Sequence, residues 1–163
     1  MTLVPPTDII TKTGQKETID GLTYEFMMAP GSEAPSEMLW FIEEKKAISA
    51  AEDATHTLHN TYSLRGAKIR EPLPWSKYLN QALVMWGDKA EVMFAQHHWP
   101  TWGNDKVVNL LSKQRDLYLI HQRRNVAYGQ SGQDDAGDCG GVQTPGQSRT
   151  PVGQPWLLRF RLS

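Results

Sequence analysis

Alternation of apolar and polar residues predicts strands in the first third of the chain. The run from Leu22 to Met28 alternates with period two, as on a strand with one buried face. A dense apolar run from Met38 to Ile42 follows a polar loop, and residues 43–46 are typical of a hairpin turn leading into a returning strand. Glu33 is therefore predicted in a loop just past one strand, and Glu52 at the end of another.

Helical spacing dominates the middle of the chain. Residues 55–65 predict a short helix with Gly66 just past its end, and a second helix is predicted from Pro74 until Gly87 stops it. Residues 90–97 alternate again and predict a strand. A third helix is predicted after Asn104, with an apolar stripe at Val107, Val108, Leu111 and Leu117. The pattern favours a mixed α/β fold.

The pattern changes near His121. Glycine, glutamine and proline accumulate after this residue, and apolar periodicity is lost until residues 156–162. Back-translation with a shift of one base permits an amphipathic continuation instead. We predict that residues 122–163 are disordered or the product of a frameshift, in which case Cys139 has no evolved role.

Composition excludes several classes of protein. Seventeen basic and eighteen acidic residues give a net charge of -1, so no chain-wide basic field exists to hold nucleic acid. The single Cys139 cannot form a thiolate-rich metal site, which leaves histidine and carboxylate ligands for any metal. The sequence contains no 18-residue apolar stretch and no secretion signal, so we expect no membrane span. The compartment is left open.

Histidines and glutamates are the candidates for chemistry. His97 and His98 are predicted at a strand end, where adjacent side chains point to opposite faces and at most one would enter a given site. A zinc ligand and a hydrogen-bonded core histidine are both consistent with this position. Glu33 and Glu52, taken singly, are typical of solvated carboxylates, and a glycosidase pair would need a separation that sequence cannot supply.

The first predicted helix and the extended segment after it carry further candidates. His56 and His59 lie three residues apart, which could hold a metal, but their polar surroundings favour a surface or packing role. Arg65 and Arg70 could bind one tetrahedral oxyanion with Asn60, because guanidinium groups match such anions through paired hydrogen bonds. Solvated surface charges are the alternative interpretation.

Two segments resemble a known family. The segment EAPSEMLWFIEEKKAISAAEDATHTLHNTYSLRGAKIR, from Glu33 to Arg70, and the segment FAQHHWPTWG, from Phe94 to Gly103, are similar to the alkyl sulfatases that hydrolyse dodecyl sulfate and related primary alkyl sulfate esters. The resemblance implies the second half of a metallo-β-lactamase αββα sandwich in residues 1–103. It also implies the start of a helical dimerisation region in residues 104–121, and a homodimer for the complete protein.

The resemblance also assigns site residues. It implies that Glu33, Glu52 and His97 are ligands of a centre holding two zinc ions. Further, it implies that the alkyl sulfate substrate is bound by Asn60, Tyr62, Arg65 and Arg70. No general acid or base is assigned.

The sequence departs from the family at one decisive motif. The family's zinc site begins with HxHxDH, which these 163 residues do not contain. We therefore expect this chain to be inactive by itself, as a fragment of the complete site. Two alternatives remain: another ester hydrolase of the metallo-β-lactamase fold, and an inactive interaction fragment.

Overall fold

The computed structural model describes residues 4–63, 66 and 68–131. Residues 125 and 127–131 are described by their backbone alone. Four antiparallel strands open the chain: β1 (Gln15–Ile19), β2 (Leu22–Met28), β3 (Met38–Ile42) and β4 (Ala47–Ser49). A 3-10 turn at Glu43–Lys45 joins β3 to β4. The strands and the turn predicted between Leu22 and Ser49 are therefore present, whereas the polar strand β1 was not predicted.

A crossover connects the two halves of the sheet. Helix α1 (Pro72–Trp86) leads to strand β5 (Val92–Phe94), which pairs parallel to β4, and β5 pairs antiparallel to β6 (Thr101–Trp102). The six strands form one sheet in chain order. Glycine is required at the end of α1, because a Cβ on Gly87 would lie 2.5 Å from the carbonyl oxygen of Leu83.

The core lies between one face of the sheet and the two helices. Helix α2 (Asn104–Ser131) packs against α1, and both cover inward-facing residues of the strands. The ring of Phe41 stacks on that of Trp86, with 6.0 Å between centroids. These contacts form the hydrophobic core of the described residues. Its largest fully buried members include Met27, Leu39, Ile48, Trp75, Leu79 and Leu111.

The opposite face of the sheet is also apolar. Phe26 pairs with Trp40, and its ring contacts both Trp40 and Tyr24, with centroid separations of 6.5 and 6.3 Å. Phe26 is buried, but Tyr24 and Trp40 remain partly exposed. Both faces of the central strands thus carry apolar side chains, as in the inner layer of a sandwich.

Two predictions differ from the structure. The helix predicted at residues 55–65 is wrong, because residues 55–63 form irregular turns and residue 65 lies outside the described part. The strand predicted at residues 90–97 is confined to β5.

Helix α2 begins at the predicted Asn104 and continues past His121 to Ser131. Residues 132–163 lie outside the described part, so the domain limits and the frameshift stay predictions. Within the described residues, no helix is long and apolar enough to cross a membrane.

Candidate metal centre

The carboxylate of Glu52 lies at the centre of a cluster of ionisable side chains. Glu52 follows β4 in a turn, where Ala51 has a φ of 47°. Its Oε1 lies 2.6 Å from Nε2 of His97, and its Oε2 lies 3.0 Å from Nε2 of His59. One carboxylate therefore contacts two imidazoles through different oxygens.

The parallel pairing of β4 and β5 explains why Glu52 and His97 meet. Each residue follows the carboxyl end of its strand, and in a parallel pair those ends lie at the same edge. The backbone of His97 has a φ of 71°, in the left-handed region that residues other than glycine rarely adopt. Such strain is concentrated at functional sites, which supports a role for this imidazole. His97 is 75% exposed, so it is accessible to a ligand.

Glu33 joins the cluster from the loop between β2 and β3. Its Oε1 lies 3.8 Å from Nε2 of His59, and its side chain is only 16% exposed. The same oxygen accepts a short hydrogen bond from Nη2 of Arg70. The two glutamates thus approach one imidazole from different loops.

Arg70 holds this arrangement together. Its Nε donates to the main-chain oxygen of Glu33 at 2.6 Å, and its Nη1 donates to the main-chain oxygen of Asn60 at 3.2 Å. With the bond to the Glu33 carboxylate, three of its five N–H groups are used. Arg70 therefore connects the loop of Glu33 to the loop of Asn60, and two of its N–H groups have no partner among the described residues.

The surroundings of the cluster are acidic. Burial raises the pKa of Glu37, and the nearby Glu33 and Glu52 raise it further. Burial also raises the pKa of Asp53, with Glu37 and Glu33 adding to the effect. Neither carboxyl oxygen of Asp53 has a hydrogen-bond partner among the described residues. A bound cation would offset the repulsion among the carboxylates of Glu33, Glu37 and Glu52.

The donor atoms fit a metal ion. Ligand atoms of Glu33, Glu52 and His59 all lie within 4.8 Å of one another. Carboxylate oxygen and imidazole nitrogen are ligands that zinc accepts. His59 was assigned a surface or packing role from the sequence, whereas the structure places it against both glutamates. Of the three predicted ligands, Glu52 contacts His97 directly, and Glu33 is linked to Glu52 through His59.

The predicted substrate residues occupy the adjoining loop. Asn60 donates from Nδ2 to the main-chain oxygen of Tyr62 and, at 3.0 Å, to Oγ of Ser63. Tyr62 is 48% exposed, and its ring is accessible. Arg65 lies outside the described residues. The structure therefore brings Asn60 and Arg70 together through a main-chain contact, but leaves the predicted sulfate pocket untested.

A cavity of about 630 Å³ borders the cluster at Glu33 and Arg70. Its charged lining also includes Lys68 and Glu71. The remaining lining is largely apolar, so the cavity offers both charged groups and apolar surface. The apolar wall is formed by Pro30, Ala34, Pro35, Ile69, Pro74 and Tyr78.

Comparison with known proteins places these features in a family. No family model matches the chain. A linear primary-alkylsulfatase of Pseudomonas is 71% identical over 118 residues, which is 72% of this chain and 18% of that protein. The solved structure of a stereoselective inverting sec-alkylsulfatase from Pseudomonas has a TM-score of 0.81 and 35% identity, covering 89% of this chain and 23% of the other.

A more distant structure defines the class. A metallo-β-lactamase family protein from Thermus thermophilus superposes with a TM-score of 0.51 at 22% identity, over 76% of this chain and 38% of that one. The fold is therefore that of the metallo-β-lactamases. Within that fold, the chain belongs to the alkyl sulfatase family, as the resemblance of Glu33–Arg70 and Phe94–Gly103 predicts. It spans about a fifth of the length of the alkylsulfatases it matches.

Proposed function

We propose that this chain provides part of the active site of a zinc-dependent alkyl sulfatase, which hydrolyses primary alkyl sulfate esters such as dodecyl sulfate to an alcohol and sulfate. The observation that carries the proposal is the convergence of Glu33, Glu52 and His59, with ligand atoms within 4.8 Å, in a chain of this family. His97, at 2.6 Å from Glu52, adds a further donor. The preference for primary esters rests on the 71% identity to a linear primary-alkylsulfatase.

The proposed metal ligands are Glu33, Glu52 and His97, as the resemblance implies, and His59 as a further candidate beside both glutamates. Two zinc ions are proposed for the complete site, and bound zinc stabilises negative charge on oxygen and activates water. In this chain, Glu52 has one oxygen toward His97 and the other toward His59, so its orientation is fixed on both sides. Arg70 fixes Glu33 in the same way.

Sulfate recognition is assigned to Asn60, Tyr62, Arg65 and Arg70. Guanidinium groups bind tetrahedral oxyanions through directional, charge-assisted hydrogen bonds, and two N–H groups of Arg70 have no acceptor in the described part of the chain. The neighbouring cavity is lined by both charged and apolar side chains, which suits an ester that joins a sulfate to a hydrocarbon chain. The residues therefore support a sulfate ester with an alkyl group as the substrate.

We further propose that the complete protein is a homodimer formed through its helical region. Helix α2 would begin that region, and its Ile120 and Val126 are 48% and 45% exposed. Two such residues do not form a continuous apolar patch by themselves, so the proposal rests on the resemblance to the alkyl sulfatases. Sedimentation of a complete family member that carries this segment would test the proposal, and a monomer at micromolar concentration would contradict it.

A chimera tests the catalytic assignment. We would replace the matching segment of the Pseudomonas linear primary-alkylsulfatase with the corresponding residues of this chain and measure sulfate release from dodecyl sulfate. Activity is expected, because the graft keeps the proposed ligands and the rest of the site comes from the host. A matched chimera with Glu52→Gln should lose at least about 100-fold in kcat/KM, since one proposed ligand is neutralised.

Two results would contradict the proposal. One is a folded, zinc-loaded chimera that releases no sulfate, and the other is full activity in the Glu52→Gln chimera. Assays with a phosphate monoester and a carboxylic ester cover the alternative that this segment belongs to another ester hydrolase. Faster turnover of either ester than of dodecyl sulfate would favour that alternative.

A further inference from the structure

The segment that carries Glu52 and His59 has no helix or strand of its own. Residues 50–63 form turns and irregular backbone between β4 and α1. Main-chain groups in such a segment have no ladder of hydrogen bonds, so their partners must come from elsewhere. The partners determine the path of the backbone and, with it, the directions of the Glu52 and His59 side chains.

Side chains of the two helices donate hydrogen bonds to three main-chain oxygens of this segment. Nε1 of Trp75 donates to the main-chain oxygen of Asp53 at 2.9 Å, and Nε2 of Gln114 donates to that of Thr55 at 2.9 Å. The hydroxyl of Tyr118 lies 3.4 Å from the main-chain oxygen of His59. Each bond thus connects the loop to α1 or α2 at a different carbonyl.

The three donors are buried in the core. Trp75 and Tyr118 are fully buried and Gln114 is 7% exposed, so water cannot replace a lost bond readily. The rings of Trp75 and Tyr118 stack at 4.3 Å and 17°, and the ring of His59 lies 5.8 Å from that of Trp75. The imidazole is therefore held both through its main chain and against an indole.

We propose that Trp75, Gln114 and Tyr118 are positioning residues that fix Glu52 and His59 in the orientation required to bind a metal ion. This inference rests on the proposed function, since it assumes that the cluster is a metal centre. The three donors hydrogen-bond to main-chain oxygens rather than to the proposed ligand atoms, so their effect passes through the loop backbone and, for Trp75, also through its contact with the His59 ring.

The experiment compares isosteric variants of the full chain. Gln114→Met removes the donor to Thr55, and Tyr118→Phe removes the hydroxyl while it preserves the ring stack. Asn104→Leu is the matched control, because Nδ2 of Asn104 also donates to main-chain oxygens, of Gly87 and Ala90 at 2.8 Å each, away from the cluster. Chemical denaturation would measure the free energy of unfolding of each variant, so that variants with similar losses of stability can be compared.

Cobalt(II) serves as the probe, because its visible absorption bands report ligand geometry as well as affinity. We expect Gln114→Met and Tyr118→Phe to weaken cobalt binding about 10-fold or more and to change the bands, as supporting groups of metal sites do. Asn104→Leu should leave both affinity and spectrum unchanged at a similar loss of stability. Equal effects of all three variants on affinity would overturn the proposal.

A measurement without metal separates this inference from the proposed function. If the unaltered chain binds no cobalt, the metal centre is refuted, and amide hydrogen exchange of residues 53–59 then decides the positioning role. Faster exchange of these amides in Gln114→Met, with unchanged exchange in Asn104→Leu, would support it. Unchanged exchange in Gln114→Met would overturn it.

Discussion

Oε1 of Glu52 lies 2.6 Å from Nε2 of His97, across the ends of two neighbouring parallel strands. This contact joins a carboxylate that is 22% exposed to an imidazole that is 75% exposed. A metal ion could therefore reach the imidazole from solvent, while the carboxylate is held from behind by His59. The pairing makes Glu52 the residue on which the proposed centre depends most.

Replacing Glu52 with Gln is expected to weaken zinc binding by at least about 10-fold, because a charged ligand becomes neutral. Competition with a chromophoric chelator would give the Kd. Glu91→Gln is a suitable control, since Glu91 is exposed and pairs with Lys46 away from the cluster. Equal zinc affinities for the unaltered chain and the Glu52 variant would remove Glu52 from the site.

Replacing His59 with Ala is also expected to weaken zinc binding about 10-fold or more, because Nε2 of His59 faces both glutamates. His56→Ala is the matched control, since Nε2 of His56 instead faces the hydroxyl of Thr101 at 3.0 Å. Isothermal titration with zinc would compare the two. A stronger effect of the His56 variant would show that the cluster is not the binding site.

Replacing Arg70 with Ala is expected to destabilise the fold by about 3 to 5 kcal/mol, because the Glu33 carboxylate would remain largely buried without its charged partner. Urea denaturation followed by tryptophan fluorescence would measure the loss. Lys16→Ala, which removes an exposed pair with Glu43, should have a much smaller effect. Similar midpoints for the two variants would argue against Arg70 as the link between the loops.

The pKa of the Glu44 carboxyl is expected to lie below its usual value. The main-chain amide of Thr23 donates to it at 2.8 Å and lowers its pKa below the usual value of about 4.5. Because the folded pKa is the lower one, this contribution to stability is present above the usual value and is lost as the pH falls through the folded pKa. NMR titration of the Glu44 side chain would measure the midpoint, and a value above 4.5 would disagree with the structure.

The full chain, supplied with zinc and dodecyl sulfate, is expected to release no sulfate above the blank. The motif HxHxDH, which the family uses for its other ligands, is absent from these 163 residues. Ion chromatography would detect sulfate directly. Zinc-dependent turnover that disappears with Glu52→Gln would show instead that the ligands in this chain are sufficient.

The sequence predicted well the elements that have clear periodicity. Strand β3 and helix α1 each have a buried face whose period matches their geometry, whereas β2 buries the adjacent Phe26 and Met27 on opposite faces of the sheet. Strand β1 was not predicted, because the sequence QKETI is mostly exposed and has little apolar contrast. Pairing with β2, a tertiary contact, defines that strand.

The site was only partly predictable for a related reason. Residues 55–63 lack a helix because local polar groups compete with helical hydrogen bonds: Thr55 bonds to the main-chain oxygen of Thr57, and Asn60 to that of Tyr62. His59 was therefore placed on the surface of a helix that does not exist. Its contacts with Glu33 and Glu52 depend on the donors in α1 and α2, which no local pattern reveals.

The parallel pairing of β4 with β5 also determines when the ligand cluster can form during folding. The antiparallel strands β1 to β4 are joined by short turns, so they can pair early and locally. Joining β4 to β5 instead closes the long connection that contains α1, at a larger cost in chain entropy. Glu52 and His97 are brought together only by that closure, so we expect the cluster to form after the antiparallel strands have paired.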